Sequence, residues 1–136
     1  MDGTLSPNLV QAPSILLCED SAVVRIFVKR ILQGAYPGAV IHEAQDGKSG
    51  LAIMKAHRID LIITDLQMEG MDGDSFLHLL KRNGVLAKKP VVVLSGMITP
   101  ALREEYAGRG DVAFLAKPAT SETLLEAAVR MLGTAR

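Results

Sequence analysis

Five short runs of strand composition alternate with five segments of helical period, and this alternation limits the fold more than any other feature of the chain. SILLC (14–18) is a continuous apolar run, as in strands covered on both faces. From Ser21 the period changes. Val24, Phe27, Val28, Ile31 and Leu32 follow one face of a helix. Asp20 or Ser21 is its expected N-cap, and Gly34 with Pro37-Gly38 its stop. AVIHEA (39–44) is the second strand, and the turn Asp46-Gly47 leads to a helix through Leu51, Ile53 and Met54. DLIIT (60–64) precedes a helix carrying Phe76, Leu77, Leu79 and Leu80. PVVVLS (90–95) is the most apolar strand, and Thr99-Pro100 supplies a good N-cap and first helical residue. DVAFLA (111–116) leads through Lys117-Pro118 to a last helix over roughly 120–132.

Alternating units with short connections imply a parallel sheet with right-handed crossovers and helices on both faces. The expected architecture is a doubly wound α/β domain with five strands in the flavodoxin-like order 2-1-3-4-5. Residues 1–13 carry two prolines and no periodicity, so they read as a flexible arm before a domain over 14–133 and a short tail, 134–136. The 136 residues fit one such domain. No apolar stretch approaches the ~20 residues of a membrane span, and no signal pattern opens the chain, so the expected location is the cytoplasm without membrane contact. Net charge is zero and no long basic run occurs, so nothing points to direct nucleic-acid binding. Cys18 is the only cysteine and lies in an apolar run, as a small core residue would. His42, His57 and His78 are not spaced as a metal cluster.

In this fold the ligand site lies at the carboxyl ends of the strands. Glu19 and Asp20 follow strand one, Asp65 strand three, Ser95 strand four and Lys117 strand five. An unpaired buried acid costs several kcal/mol, so a strand that ends on Asp65 needs a reason. Three carboxylates brought together repel one another, and a hard cation relieves this; Mg²⁺ takes carboxylates, waters and phosphate oxygens. Lys117 and Ser95 add a point charge and a donor suited to a phosphoryl group, and a carboxylate can attack phosphorus to give an acyl phosphate. The set reads as an aspartate that accepts a phosphoryl group with the help of Mg²⁺.

ILLCEDSAVVR, EAQDGKSGLAIM, DLIITDLQMEGMDG, PVVVLSG and FLAKP occur in that order. Over residues 14–132 the chain resembles the receiver domain of two-component response regulators (the CheY-like superfamily). The resemblance implies that Asp65 is the phosphorylated residue. Asp20 then binds Mg²⁺ directly, Glu19 acts through water, and the backbone carbonyl of Gln67 completes the protein ligands. Ser95 contacts the bound phosphoryl group, Lys117 pairs with it, and Phe114 is the aromatic whose rotamer reports the active state. Lys117-Pro118 corresponds to a peptide bond that is usually cis. The implied partners are a sensor histidine kinase or a histidine phosphotransfer protein. Downstream, a protein target or a homodimer uses the face of the fourth helix, fifth strand and fifth helix. Glu69 stands where the family often has proline, which removes a rigid turn and adds charge near the metal site.

Other readings compete. A pseudo-receiver would keep the surface and lose the chemistry. A haloacid dehalogenase-like phosphatase would need its nucleophile after strand one and a second acid at the position of Gln67. A flavin binder would need a phosphate loop after strand one, where CEDSAVV supplies acids. Plain structural roles also exist: Asp20 as a cap, Ser95 as a strand-end hydroxyl, Lys117 as a solvated cation and Phe114 as core.

Overall fold

The computed structural model describes residues 12–67, 75–85 and 88–134. The strands are β1 (Ser14–Cys18), β2 (Val40–Ala44), β3 (Leu61–Thr64), β4 (Val91–Ser95) and β5 (Val112–Ala116). The helices are α1 (Ala22–Ala35), α2 (Gly47–Ala56), α3 (Ser75–Arg82), α4 (Pro100–Glu105) and α5 (Ser121–Thr134). The sheet is parallel throughout, in the order β2-β1-β3-β4-β5. This is the expected doubly wound arrangement.

The apolar runs are continuous because both faces of the sheet are covered. Successive side chains of a strand point to opposite faces. Ile15, Leu17, Leu61, Ile63, Val92 and Leu94 accordingly pack with Val28 and Leu32 of α1 and Leu124 and Ala128 of α5. Leu16, Cys18, Ile62, Val91 and Val93 pack on the other face with Phe76, Leu77 and Leu80 of α3 and Leu102 of α4. Cys18 is therefore core, and burial pushes its thiol up to about 12. Helix α2 lies unusually close to β1 because residue 50 is glycine. A Cβ there would stand 2.7 Å from Cys18 Sγ and 3.4 Å from Phe76 Cζ.

Caps fix the helix starts. Ser21, rather than Asp20, caps α1 through its hydroxyl, which accepts from the Val24 amide. This leaves the Asp20 side chain exposed. Asp46 caps α2 and Thr99 caps α4, with Pro100 at its first position. Phe27 departs from the periodic reading. It is 37% exposed, because α1 rests on the sheet through Val28 and Leu32 alone at full burial. Strands two to five each begin one residue later than the sequence suggests. Residues 1–11 of the arm, residues 135–136 of the tail and Glu69 lie outside the described residues.

Candidate functional site

Register brings the charged residues together. Cys18 pairs with Thr64, so Glu19 and Asp65 leave adjacent strands side by side. Ser95 pairs with Ala116, so Lys117 emerges one step beyond it. The ladders continue into the loops: the Glu19 amide donates to the Ala44 carbonyl at 2.9 Å, Asp65 to Cys18 at 3.0 Å and Lys117 to Ser95 at 3.0 Å. Backbone bonding thus holds the three strand ends before any side chain acts.

The carboxylates are then tied individually. Asp65 is 5% exposed and Glu19 1%. Asp65 Oδ1 accepts from the amides of Leu66 at 2.6 Å and Gln67 at 3.1 Å. Lys117 Nζ donates to Asp65 Oδ2 at 2.7 Å and lies 2.9 Å from Glu19 Oε1. The second Glu19 oxygen accepts from the Ser21 amide at 3.1 Å. Arg25 in the first turn of α1 donates to the Glu19 carbonyl at 2.8 Å and also pairs with Glu43 at 3.2 Å. The Lys117-Pro118 peptide is cis.

Surroundings divide the two buried acids. Burial works against ionisation of Asp65, but Lys117, the Ser95 hydroxyl and the Gln67 amide outweigh it and hold its carboxyl below the ordinary range. Burial dominates at Glu19 and raises its carboxyl despite Lys117 and the Ser21 amide. Burial also opposes the charge on Lys117, yet its bonds to Asp65 and Glu19 raise its pKa. Of the two, Asp65 is the more readily ionised.

Glu19, Asp20 and Asp65 each offer an oxygen within 4.8 Å of the others'. Three carboxylates face one ammonium, and 3 − 1 leaves two negative charges to be offset when all are ionised. This acidic donor set fits an Mg²⁺ site, since hard cations favour carboxylate oxygen. Among the described residues the three histidines do not join it. His42 and His57 stack on each other with ring centroids 4.4 Å apart, and His78 lies 2.9 Å from Glu105.

Ser95 is fully buried, and its oxygen accepts from the Met97 amide at 3.2 Å. Phe114 lies on β5, half-buried, between the Tyr106 ring at 6.2 Å and the Arg103 guanidinium at 5.7 Å. The sequence reading gave Lys117 to a phosphoryl group alone and missed its second bond to Glu19. It also missed Arg25, whose only signal is its place one turn after the Ser21 cap. Beside the site an apolar groove of about 480 Å³ opens between α1 and the β5–α5 connection, lined by Val23, Phe27, Leu94, Pro118 and Ala119.

The sequence profile described as "Response regulator receiver domain" matches residues 15–129. A gliding motility regulatory protein of Myxococcus xanthus is 30% identical over 129 residues, covering 91% of this chain and 16% of that protein. The nitrate/nitrite response regulator protein NarP of Escherichia coli is 31% identical over 83% of the chain and 52% of its own length. The chain therefore spans about half or less of these relatives. The crystallised chemotaxis response regulator CheY4 of Vibrio cholerae superposes with a TM-score of 0.74 at 30% identity, covering 88% of this chain and 98% of that one.

Proposed function

Because the chain belongs to the response regulator receiver family, a phosphoacceptor domain of two-component signalling, we propose that Asp65 is its acceptor residue. One observation carries this reading: Lys117 bridges Asp65 and Glu19 at the edge where Asp20 completes a trio of acids. An ionised, lysine-held carboxylate is a competent nucleophile toward phosphorus. One Asp65 oxygen bonds to phosphorus as the bond from phosphorus to the donor breaks, and the donor leaves with that electron pair. The product is an acyl phosphate.

Glu19, Asp20, Asp65 and the Gln67 carbonyl are the groups that would hold Mg²⁺. When bound, the ion offsets the charge of the acids and of the incoming phosphoryl oxygens. Lys117 stands 2.7 Å from Asp65 and can follow the new charge from the carboxylate to a phosphoryl oxygen. Ser95 is the nearby hydroxyl donor. Phosphorylation adds roughly −1.5 to −2 charge in a space already rich in acid. Ser95 and Lys117 then reorganise, and Phe114 on β5 carries the change toward α4. The face formed by α4, β5 and α5 is the proposed output surface, for a protein target or a second copy.

The phosphodonor is a histidine kinase or a histidine phosphotransfer protein. The apolar groove fits its approach, because it shares Lys117 with the site and is walled by the exposed Val23 and half-exposed Phe27. No helix among the described residues is long and apolar enough to cross a membrane. The proposed setting is the cytoplasm, without direct nucleic-acid contact.

The test is intact mass after incubation with acetyl phosphate, with Mg²⁺ and with EDTA. A single Mg²⁺-dependent phosphate adduct, absent from Asp65→Asn, is the expected result. An equal adduct on Asp65→Asn would overturn the assignment.

A further inference from the structure

The edge of the sheet opposite the acids holds a second concavity of about 340 Å³, where the α2–β3 and α3–β4 connections meet. Its walls are of two kinds. Met54, Ile59 and Val85 form an apolar floor; Ile59 is 2% exposed, and the other two pack against the same core layer. Arg58, Lys88 and Lys89 supply cations, and no acid is among its described lining residues. Among the described residues Lys88 and Lys89 make no ion pair. Arg58 pairs with Asp60 at 3.3 Å, and that carboxylate also accepts from the Ser14 amide at 2.8 Å.

Cations near helix C-termini often serve the helix dipole. Here that need is met by other residues. Helix α2 carries Lys55 in its last turn, and α3 carries Lys81 and Arg82. Closing backbone bonds satisfy carbonyls at both ends, His57 to Ile53 and Val85 to Leu80, each at 2.9 Å. Lys88 and Lys89 thus remain as surplus positive charge around an apolar floor, with Arg58 shared between the concavity and Asp60, on a chain of zero net charge.

We propose that this concavity binds a nucleoside phosphate. The ring lies against Met54, Ile59 and Val85, and the phosphates meet Arg58, Lys88 and Lys89. The volume stands at the low end of small-molecule sites, room for one ring system and little more. A thioether beside an aromatic ring is favourable, and lysine with arginine suits phosphate oxygens. A long acidic peptide would gain the charge but leave the floor unused. The two sites occupy opposite edges of the sheet, so both can be filled at once.

The test is fluorescence anisotropy of a mant-labelled ADP on the full chain in EDTA, which keeps Mg²⁺ from the acid site. Wild type, the double variant Lys88→Gln/Lys89→Gln and Asp65→Asn are compared. The expected result is saturable binding, displaced by ADP but not by equal inorganic phosphate or adenosine, and unchanged in Asp65→Asn. The double variant, with unaltered circular dichroism and acetyl phosphate labelling, weakens binding by about tenfold or more. Three results would each overturn the proposal: no saturable binding, binding insensitive to the double variant, or displacement by poly-glutamate as readily as by ADP.

Discussion

Asp60 and Asp65 flank the same strand, β3, and do the same backbone work. Asp60 donates its amide to Ser14 at 2.7 Å at one end of the β1–β3 ladder, and Asp65 donates to Cys18 at 3.0 Å at the other. Their side chains have different company. Asp60, 26% exposed at the side chain, accepts from the Ser14 amide and from Arg58. It pegs two strand starts together. Asp65, 6% exposed at the side chain, accepts from two amides and a lysine that also holds Glu19. A carboxylate at a strand end is thus not itself a site. The site arises because three other strand ends deliver Glu19, Ser95 and Lys117 to one edge and none of these to the other.

The largest expected contrast is chemical. Asp65→Asn removes acetyl phosphate labelling altogether, while Asp60→Asn labels like wild type; a mass spectrum of each checks this. Lys117→Met comes next. Removing one partner of a buried charge set costs about 3–5 kcal/mol, and here it leaves Asp65 and Glu19 facing each other. The variant unfolds more easily in EDTA and recovers more stability with Mg²⁺ than wild type does, as urea titrations with and without the ion will show. Gly50→Ala separates folding from chemistry. Its new Cβ meets Cys18 Sγ at 2.7 Å, so a loss of about 1–3 kcal/mol is expected, with labelling retained wherever the protein is folded. Asp60→Asn should cost about 1 kcal/mol, since the amide bond can survive while the charge-assisted contact to Arg58 is lost.

The smallest effect lies in the acid limb of stability. The Asp65 carboxyl is held below its ordinary value, so its contribution is complete above the unfolded pKa, about 3.9, and is lost as pH falls through the lower folded value. Glu19, raised by burial, has the opposite sign, and its folded form gains relative stability on protonation. Asp65→Asn should therefore flatten the acid limb in urea titrations against pH. A steeper limb would contradict the assignment of charges.

Much of this was legible before the structure. The apolar runs located β1, β3, β4 and β5, because strands covered on both faces leave few polar positions inside. The edge strand β2, VIHEA, with exposed Val40 and Glu43, was legible only from its place in the alternation. Thr99-Pro100 and the Asp46 turn marked helix starts through cap chemistry, which is local. The site was legible because strand order fixes which loops share an edge. Less legible were features set by how a helix lies on the sheet. Periodicity could not tell that Phe27 stands at a groove mouth while Val28 is buried. Nor could it show that Arg25 reaches the Glu19 carbonyl, or that His57 at the end of α2 stacks on His42 of β2. These depend on the rotation and height of α1 and α2, set by packing such as the close approach at Gly50.

The most direct measurement of the central claim is chemical trapping. Acetyl phosphate-treated protein is reduced with borohydride, which converts an aspartyl phosphate into homoserine, and peptides are sequenced by tandem mass spectrometry. The account predicts homoserine at position 65 alone, in Mg²⁺ and not in EDTA. Homoserine at position 20 or 60, with residue 65 unmodified, would contradict it.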